Sequence, residues 1–207
     1  TTNRQTAFNN GVYNWKTPTC NVTTLNVTGE WKRPRIQAIL EINQQSKEKV
    51  RCVDFKNSHD WVNEHQTDLY VDYETVNKND FVSCTQNNVI YSDDESIIVM
   101  IGCGWCVNGE WRFQKFTVDS ISRDEERIIM NAFYEFVQSF GKNSVRSPRL
   151  YHWGHIERSM YESLRRRNPM FGWGALNWVD LCKIVQDEII VFHGALTYNI
   201  KNVCNAL

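Results

Sequence analysis

Residues 68–75 read Asp68-Leu69-Tyr70-Val71-Asp72-Tyr73-Glu74-Thr75, and this stretch decides the fold of the chain. Its apolar part is typical of a central strand, and it delivers two carboxylates two residues apart. Because successive side chains of a strand point to opposite faces, Asp72 and Glu74 share one face with Cα atoms ~6.5 Å apart. That spacing suits a divalent metal ion. The alternative is a strand end whose acids are only solvated.

The size and composition of the chain predict one main domain with a small appendage. It has 207 residues, of which 42% are hydrophobic and 13% aromatic, enough for one well-filled core. We predict a preamble over residues 1–67 that packs on a main domain over residues 68–207. Lys plus Arg number 23 and Asp plus Glu 24, so net charge favours neither presence nor absence of a nucleic-acid partner.

Cysteine usage and hydropathy indicate the compartment. Seven scattered cysteines do not resemble the disulfide framework of a small secreted domain, so we expect a reducing, intracellular compartment. Two Asn-Val-Thr sequons, at Asn21 and Asn26, argue weakly the other way and are discounted. No apolar run approaches the ~18 residues that cross a bilayer, so no membrane partner is expected. Because the chain begins with Thr1, we expect a piece of a longer protein with other domains.

A hairpin is predicted over residues 96–116, because two β runs are joined by Asn108-Gly109. The motif Cys103-Gly104-Trp105-Cys106 lies inside its first run. Structural burial of these cysteines is favoured, with half a zinc site or a thiol redox pair as alternatives. A redox pair needs its first sulfur at a helix N-terminus, and a zinc site needs two more ligands.

Helices and a further strand complete the pattern. Pro34 opens an amphipathic helix over residues 35–43, and Ser122 begins a second one over residues 122–140 with a capping-box pattern. Residues 149–153 are predicted as a strand, followed by a glycine turn and a helix whose first turn contains Glu157. This acid is expected to face the sheet edge that carries the strand acids. The alternative is the ordinary preference of Glu for a helix N-terminus.

In this order of elements the chain resembles the DEDD superfamily of RNase H-like 3′–5′ exonucleases, and most closely the YprB-type RNase H-like domains. The resemblance runs from about Trp15 to Leu207. Its most specific parts are residues 69–75, 101–116, 151–157 and 179–181. It implies an α/β fold: an RNase H-like mixed sheet with covering helices, preceded by a helical or irregular preamble.

The resemblance also implies a function. These enzymes hydrolyse phosphodiester bonds of DNA or RNA with two Mg²⁺ or Mn²⁺ ions ~4 Å apart. By position, Asp72 would bridge both ions and Glu74 would bind the ion that holds the attacking water. Glu157 stands where the second motif of the family has Asp, and is the third catalytic residue and metal ligand. The expected substrates are single-stranded ends.

The third motif of the family, an Asp with His or Tyr upstream, is not found. The stretch His193 to Asn199 imitates it but has Asn199 where an acid is required. We therefore expect a domain that is truncated at its C-terminus, and the rival interpretation is a catalytically incomplete module for nucleic-acid binding or assembly. Asp180 is the nearest substitute as a metal ligand. However, Asn177 three residues earlier favours a helix cap with Asp180 in the first turn.

Basic and aromatic residues near the second motif are the candidate nucleic-acid contacts. They are Arg146, Arg149, Arg158, Arg165, Arg166, Arg167 and Trp153, which would neutralise phosphates and stack on bases. The alternative for the run at 165–167 is a solvated helix C-terminus. His152 and His155 are either general bases or ligands, or, beside Trp153 on a strand, core residues.

Overall fold

The computed structural model describes residues 2–44, 47–55, 61–63, 65–76, 96–142 and 146–207. These residues contain six α-helices, a five-stranded mixed sheet and a two-stranded sheet, which confirms the predicted α/β class. They divide into two compact units, Trp61–Leu181 and a unit made of Thr1–Asp60 with Cys182–Leu207. The C-terminal residues therefore group with the N-terminal ones. The predicted domains, 1–67 and 68–207, stay a prediction.

The larger sheet belongs to the unit Trp61–Leu181. Its strands are β2 (Leu69–Val76), β3 (Ile97–Val107), β4 (Glu110–Thr117), β5 (Arg149–His152) and β6 (Asn177–Asp180). Their spatial order is β4-β3-β2-β5-β6, with β2 antiparallel to β3 and parallel to β5, which is parallel to β6. Asp72 therefore lies on the central strand beside the hairpin, as predicted. The carboxyl ends of β2, β5 and β6 meet at one edge.

The hairpin turn between β3 and β4 is as predicted. Asn108 and Gly109 both have positive φ, 53° and 82°, the backbone that a type I′ turn requires. Tyr73, Ile101 and Phe116 lie opposite one another on the three adjacent strands, and so they share one face of the sheet. The same face packs on the apolar side of the following helix.

That helix, α3 (Arg123–Gly141), covers one face of the sheet, as predicted. Ser122 caps it, because its hydroxyl accepts the Glu125 N–H at 3.2 Å. The reciprocal half of the capping box is not formed; the Glu125 carboxylate accepts the Asp119 N–H at 3.2 Å. The core between sheet and helix includes Leu69, Val71, Tyr73, Ile98, Ile101, Cys103, Ile129, Met130, Phe133 and Val137.

The chain after β5 carries Glu157 in the first turn of the next helix. It continues through helix α4 (Ile156–Arg167) and a 3₁₀ turn at Pro169–Phe171 into β6. The expectation of a helix capped by Asn177 is wrong: Asn177–Asp180 is a strand whose residues pair in register with Arg149–His152. Helix α5 (Leu181–Asp187) begins only after Asp180. Pairing with a neighbouring strand has overridden the local cap preference.

The other unit contains the predicted helix of residues 35–43. Its elements are α1 (Thr2–Asn9), α2 (Lys32–Gln44), β1 (Val50–Cys52), β7 (Ile190–Phe192) and α6 (Ile200–Ala206). Strands β1 and β7 pair antiparallel, and Ala38, Ile42 and Val191 form a small buried cluster. Within the described ranges, no helix has the length and apolar character that crossing a membrane requires.

Candidate functional site

Side chains of β2 alternate between the two faces of the sheet, and its two acids lie on the face away from the core. Val71 and Tyr73 are buried, whereas Asp72 and Glu74 are exposed on the opposite face. A register shift in the pairing with β3 follows directly after Glu74. The two predicted strand ligands therefore share one open face at the end of the central strand.

Asp72 is electrostatically coupled to the other two predicted acids. Its pKa is raised first by the loss of water around its carboxyl group, then by the charge of Glu157 and then by that of Glu74. Like charges disfavour ionisation, so Glu157 and Glu74 both oppose the ionised form of Asp72. They come from the central strand and from the first turn of α4, as the sequence predicted.

Glu157 is buried, and its carboxylate lies beside the ring of a histidine. Its Oε2 lies 3.3 Å from Nδ1 of His152, which is also buried at the end of β5. The imidazole packs edge-to-face on Trp178, with ring centroids 5.4 Å apart. His152 is thus a core residue in contact with a candidate ligand, whereas His155 is exposed. Neither ring nitrogen of His152 makes a hydrogen bond of standard geometry among the described residues.

The position of the Tyr73 hydroxyl near Glu157 was not predicted from the sequence. Tyr73 is buried, and its pKa is raised well above the ordinary tyrosine value by burial, then by Tyr161, then by Glu157. Its hydroxyl therefore stays protonated near that carboxylate, on the core side of the sheet. A signal was present in the sequence, since the residue between two acids of an Asp-x-Glu strand points to the opposite face.

Asp180 is held by the turn that precedes α4. Its Oδ1 accepts the backbone N–H of Gly154 at 3.1 Å, and it pairs opposite His152 in the β5–β6 ladder. Gly154 has φ of 102°, a conformation that L side chains rarely adopt. Asp180 thus fixes the turn that leads to Glu157. Its role as a metal ligand stays a prediction.

A comparison of the chain with protein-family models, curated proteins and solved structures found no match. The case for a function therefore depends on the residues themselves. In chemistry, the three acids fit Mg²⁺ or Mn²⁺, because both ions prefer carboxylate oxygens. In geometry the fit is incomplete: over the ranges that the structure describes, no three His, Cys, Asp or Glu side chains are grouped closely enough to hold an ion.

The predicted nucleic-acid contacts fall into two groups. Arg149 is buried and bonds Asp68 twice, Nε to Oδ1 at 2.7 Å and Nη2 to Oδ2 at 2.6 Å, and it also donates to the carbonyl of Asn63. Arg165 pairs with Glu162 at 2.8 Å. The other side chains reach solvent to a larger extent: Arg146, Arg158, Arg166 and Arg167 are exposed and Trp153 is half-buried. The burial of Arg149 argues against direct phosphate contact.

The Cys-x-x-Cys motif is not a redox site. Cys103 and Cys106 both lie within β3, where Cys103 pairs with both neighbouring strands and Cys106 pairs with β4. Side chains three residues apart in a strand point to opposite faces. Burial raises the pKa of the Cys103 thiol to about 12, whereas a reactive thiol needs a lowered one. The redox alternative is thereby excluded, and the predicted structural burial holds for Cys103.

Proposed function

We propose that this chain is a metal-dependent nuclease of the RNase H-like class, a 3′–5′ exonuclease that hydrolyses phosphodiester bonds at single-stranded ends. The observation that carries the proposal is that Asp72 and Glu74 share one exposed face of the central strand, with Glu157 in the first turn of the helix that follows the neighbouring parallel strand. Like charges on these acids oppose one another, and a bound cation would relieve the repulsion. The carboxyl ends of parallel strands, from which β2 and β5 lead to these acids, are a usual place for ligand sites in α/β sheets.

The strand order supports the same class. The resemblance implies a central Asp-x-Glu strand with the hairpin on one side and, on the other, the strand that leads to the acid-bearing helix. The order β4-β3-β2-β5-β6 has this arrangement. It is independent of the acids themselves, because it depends on which backbones pair.

In the proposed reaction the residues have separate tasks. Asp72 and Glu74, which are exposed, would bind Mg²⁺ or Mn²⁺ next to the scissile phosphate. Glu157, which is buried, would complete the ligand set. The bound ions would supply an activated water and neutralise the charge of the leaving oxygen. His152 contacts Glu157 and would keep that carboxylate in place.

The proposal is tested with a 5′-labelled single-stranded oligonucleotide, as DNA and as RNA. In Mn²⁺ or Mg²⁺ we expect a ladder of products shortened from the 3′ end, which disappears when EDTA is added. Shortening from the 5′ end would contradict the polarity. If the protein binds the oligonucleotide in Mn²⁺ but leaves it intact, the hydrolase proposal fails for these 207 residues.

The second candidate function is binding without hydrolysis, and one observation favours it. Asn199, which occupies the position where the resemblance requires an acid, is the N-cap of α6, with its Oδ1 accepting the Lys201 N–H at 3.0 Å. A capping role explains this residue without catalysis. A nuclease-like module with an incomplete site would bind the oligonucleotide equally well in Mn²⁺ and in EDTA.

A further prediction concerns the arginine run at the end of α4. Replacing Arg165, Arg166 and Arg167 with Ala is expected to weaken single-strand binding and to flatten its salt dependence, by roughly 0.7 to 1 unit of slope for each phosphate that the variant no longer neutralises. Binding is measured by fluorescence anisotropy over a range of salt concentrations. Replacing Arg33 and Lys201, two cations of the other unit, with Ala is the control. An unchanged slope in the triple variant would mean that the run is only a solvated helix end.

A further inference from the structure

The hairpin exposes two large rings on its outer strand. Trp111 is 61% exposed and Phe113 59% exposed, although both lie within β4. On the other face of the sheet, Trp105 and Phe116 pack on Phe136 of α3. Strand β4 thus carries aromatic residues on both faces: Phe116 packs in the core, whereas Trp111 and Phe113 lie in solvent.

The exposed rings lie on a floor made by two glycines of β3. A Cβ at Gly104 would lie 2.1 Å from Cζ2 of Trp111, and a Cβ at Gly102 would lie 3.3 Å from the ring of Phe113. Glycine at position 104 is what lets the Trp111 ring lie this close to the strand, whereas a Cβ at position 102 would be a tight contact with Phe113. Both rings therefore lie over the backbone of β3.

The aromatic row continues toward the middle of the sheet. The Trp111 ring is 5.3 Å from that of Tyr70 on β2, which in turn stacks on Tyr151 of β5 at 5.4 Å. These distances are typical of interacting aromatic pairs. Trp111 is therefore the outer end of a row of interacting rings, and Phe113 lies two residues further along the same face of β4.

The row borders the acids and a lysine on the same face. Gly102 pairs with Asp72 on one side and with Lys115 on the other, and directly paired residues share a face. Gly102 has no side chain of its own between them, and the Phe113 ring lies over it. Lys115 is exposed and forms no ion pair with any acid of the described ranges.

This mixture of rings and charges favours one kind of occupant. The centres of protein interfaces are depleted of Lys, Asp and Glu, whereas here Lys115 and Asp72 flank the rings. Single-stranded nucleic acid needs flat rings for its bases and a cation for its phosphates, which this face offers. The face also leads directly to the carboxylates that would act on a phosphodiester.

We propose that Trp111 and Phe113, with Lys115, form a base-stacking platform that binds single-stranded nucleic acid and leads its backbone to Asp72. The platform rests on the proposed nuclease function, because the acids define which end of it the substrate approaches. Bases stack on the two rings, and the ammonium group of Lys115 contacts a phosphate of the same nucleic-acid strand. Stacking tolerates any base, so the platform carries no sequence preference of its own.

The test measures binding of fluorescein-labelled oligo(dT) and oligo(rU) in EDTA, where no hydrolysis can occur. Replacing Trp111 or Phe113 with Ala is expected to weaken binding on the order of tenfold per ring, and Trp111→Phe should retain most of the affinity. The control is Trp31→Ala, which removes a ring that is 63% exposed and has Lys32 over it at 4.9 Å. Unchanged binding in the Ala variants, or an equal reduction in the control, would overturn the platform.

A second variant moves a ring without removing it. Gly104→Ala places a methyl group where the Trp111 ring lies, so the ring must swing away from the floor. We expect weaker oligonucleotide binding with a Tm close to that of the wild type, because the ring is free to turn into solvent. If the variants instead convert a dimer to a monomer in light scattering, with binding unchanged, the face is a protein interface and the proposal is wrong.

These outcomes are separable from those of the nuclease proposal. A protein that hydrolyses oligonucleotides but binds them equally well without Trp111 and Phe113 would retain its proposed function and lose the platform. A protein that binds through these rings in EDTA but never hydrolyses would retain the platform and lose the enzyme. Binding in EDTA and hydrolysis in Mn²⁺ are therefore measured on the same samples.

Discussion

Replacing Asp72 with Asn is expected to lower the rate of single-strand hydrolysis at least about a thousandfold, equivalent to roughly 4 kcal/mol of transition-state stabilisation. Glu157 and Glu74 both oppose the ionised form of Asp72, so a bound cation would favour that form. The same variant should lose Mn²⁺ binding, measured by electron paramagnetic resonance. Asp119→Asn removes an exposed carboxylate from the loop before α3 and is the matched control.

The fold of this variant should be intact, and the raised pKa gives the sign of the stability change. The folded state holds the Asp72 proton more tightly than the unfolded chain, so ionisation opposes folding as pH rises from the ordinary aspartate range through the raised pKa. The cost is absent below the ordinary aspartate pKa and is fully present above the raised one. Because Asn never ionises, the Tm of the variant at pH 7 should equal or exceed that of the wild type, with the difference disappearing in acid. A lower Tm at pH 7, or residual Mn²⁺-dependent hydrolysis near the wild-type rate, would remove Asp72 from the centre of the site.

Replacing Arg149 with Met is expected to destabilise the protein by about 3 to 5 kcal/mol, which is the largest effect on stability that we predict. Arg149 and Asp68 are both buried, and the two hydrogen bonds between them leave the guanidinium and the carboxylate fully matched. Met fills a similar volume but leaves a buried carboxylate without its cation. The free energy of unfolding is measured by urea denaturation.

A matched control separates this pair from ordinary surface pairs. Arg165→Met breaks the partly exposed contact with Glu162 and should cost about 1 kcal/mol or less. The double variant Asp68→Leu with Arg149→Met removes both charges and should recover much of the stability. If Arg149→Met unfolds at the same urea concentration as the wild type while losing oligonucleotide binding, Arg149 would be a phosphate contact after all.

Local patterns predicted the elements that depend on near neighbours. The Asp-x-Glu strand, the hairpin turn at Asn108-Gly109 and the cap at Ser122 follow from spacings of a few residues, and all three are present. The position of Glu157 in the first turn of α4 followed from the glycine turn before it. Such elements can be predicted from the sequence, because the local conformational propensity and the hydrophobic pattern favour the same structure.

The features that the sequence did not predict are contacts between distant parts of the chain. Strand β6 has four residues and depends on pairing with β5, so the local cap signal of Asn177 was misleading. Arg149 and Asp68 are 81 residues apart. The sequence around Arg149 does not indicate that it will form an ion pair with a buried aspartate. The exposure of Trp111 and Phe113 is a further case, since large rings on a strand give no sign in the sequence that their face of the sheet lies in solvent.

The register shift between β2 and β3 lies directly after the two strand acids. Glu74 pairs with Met100 and Thr75 with Ile98, so Val99 is the extra residue of the ladder. In a continuous ladder, adding or removing one residue turns every later side chain to the other face. Here the irregularity follows Glu74, so Asp72 and Glu74 both belong to the regular part of the ladder and keep one common face.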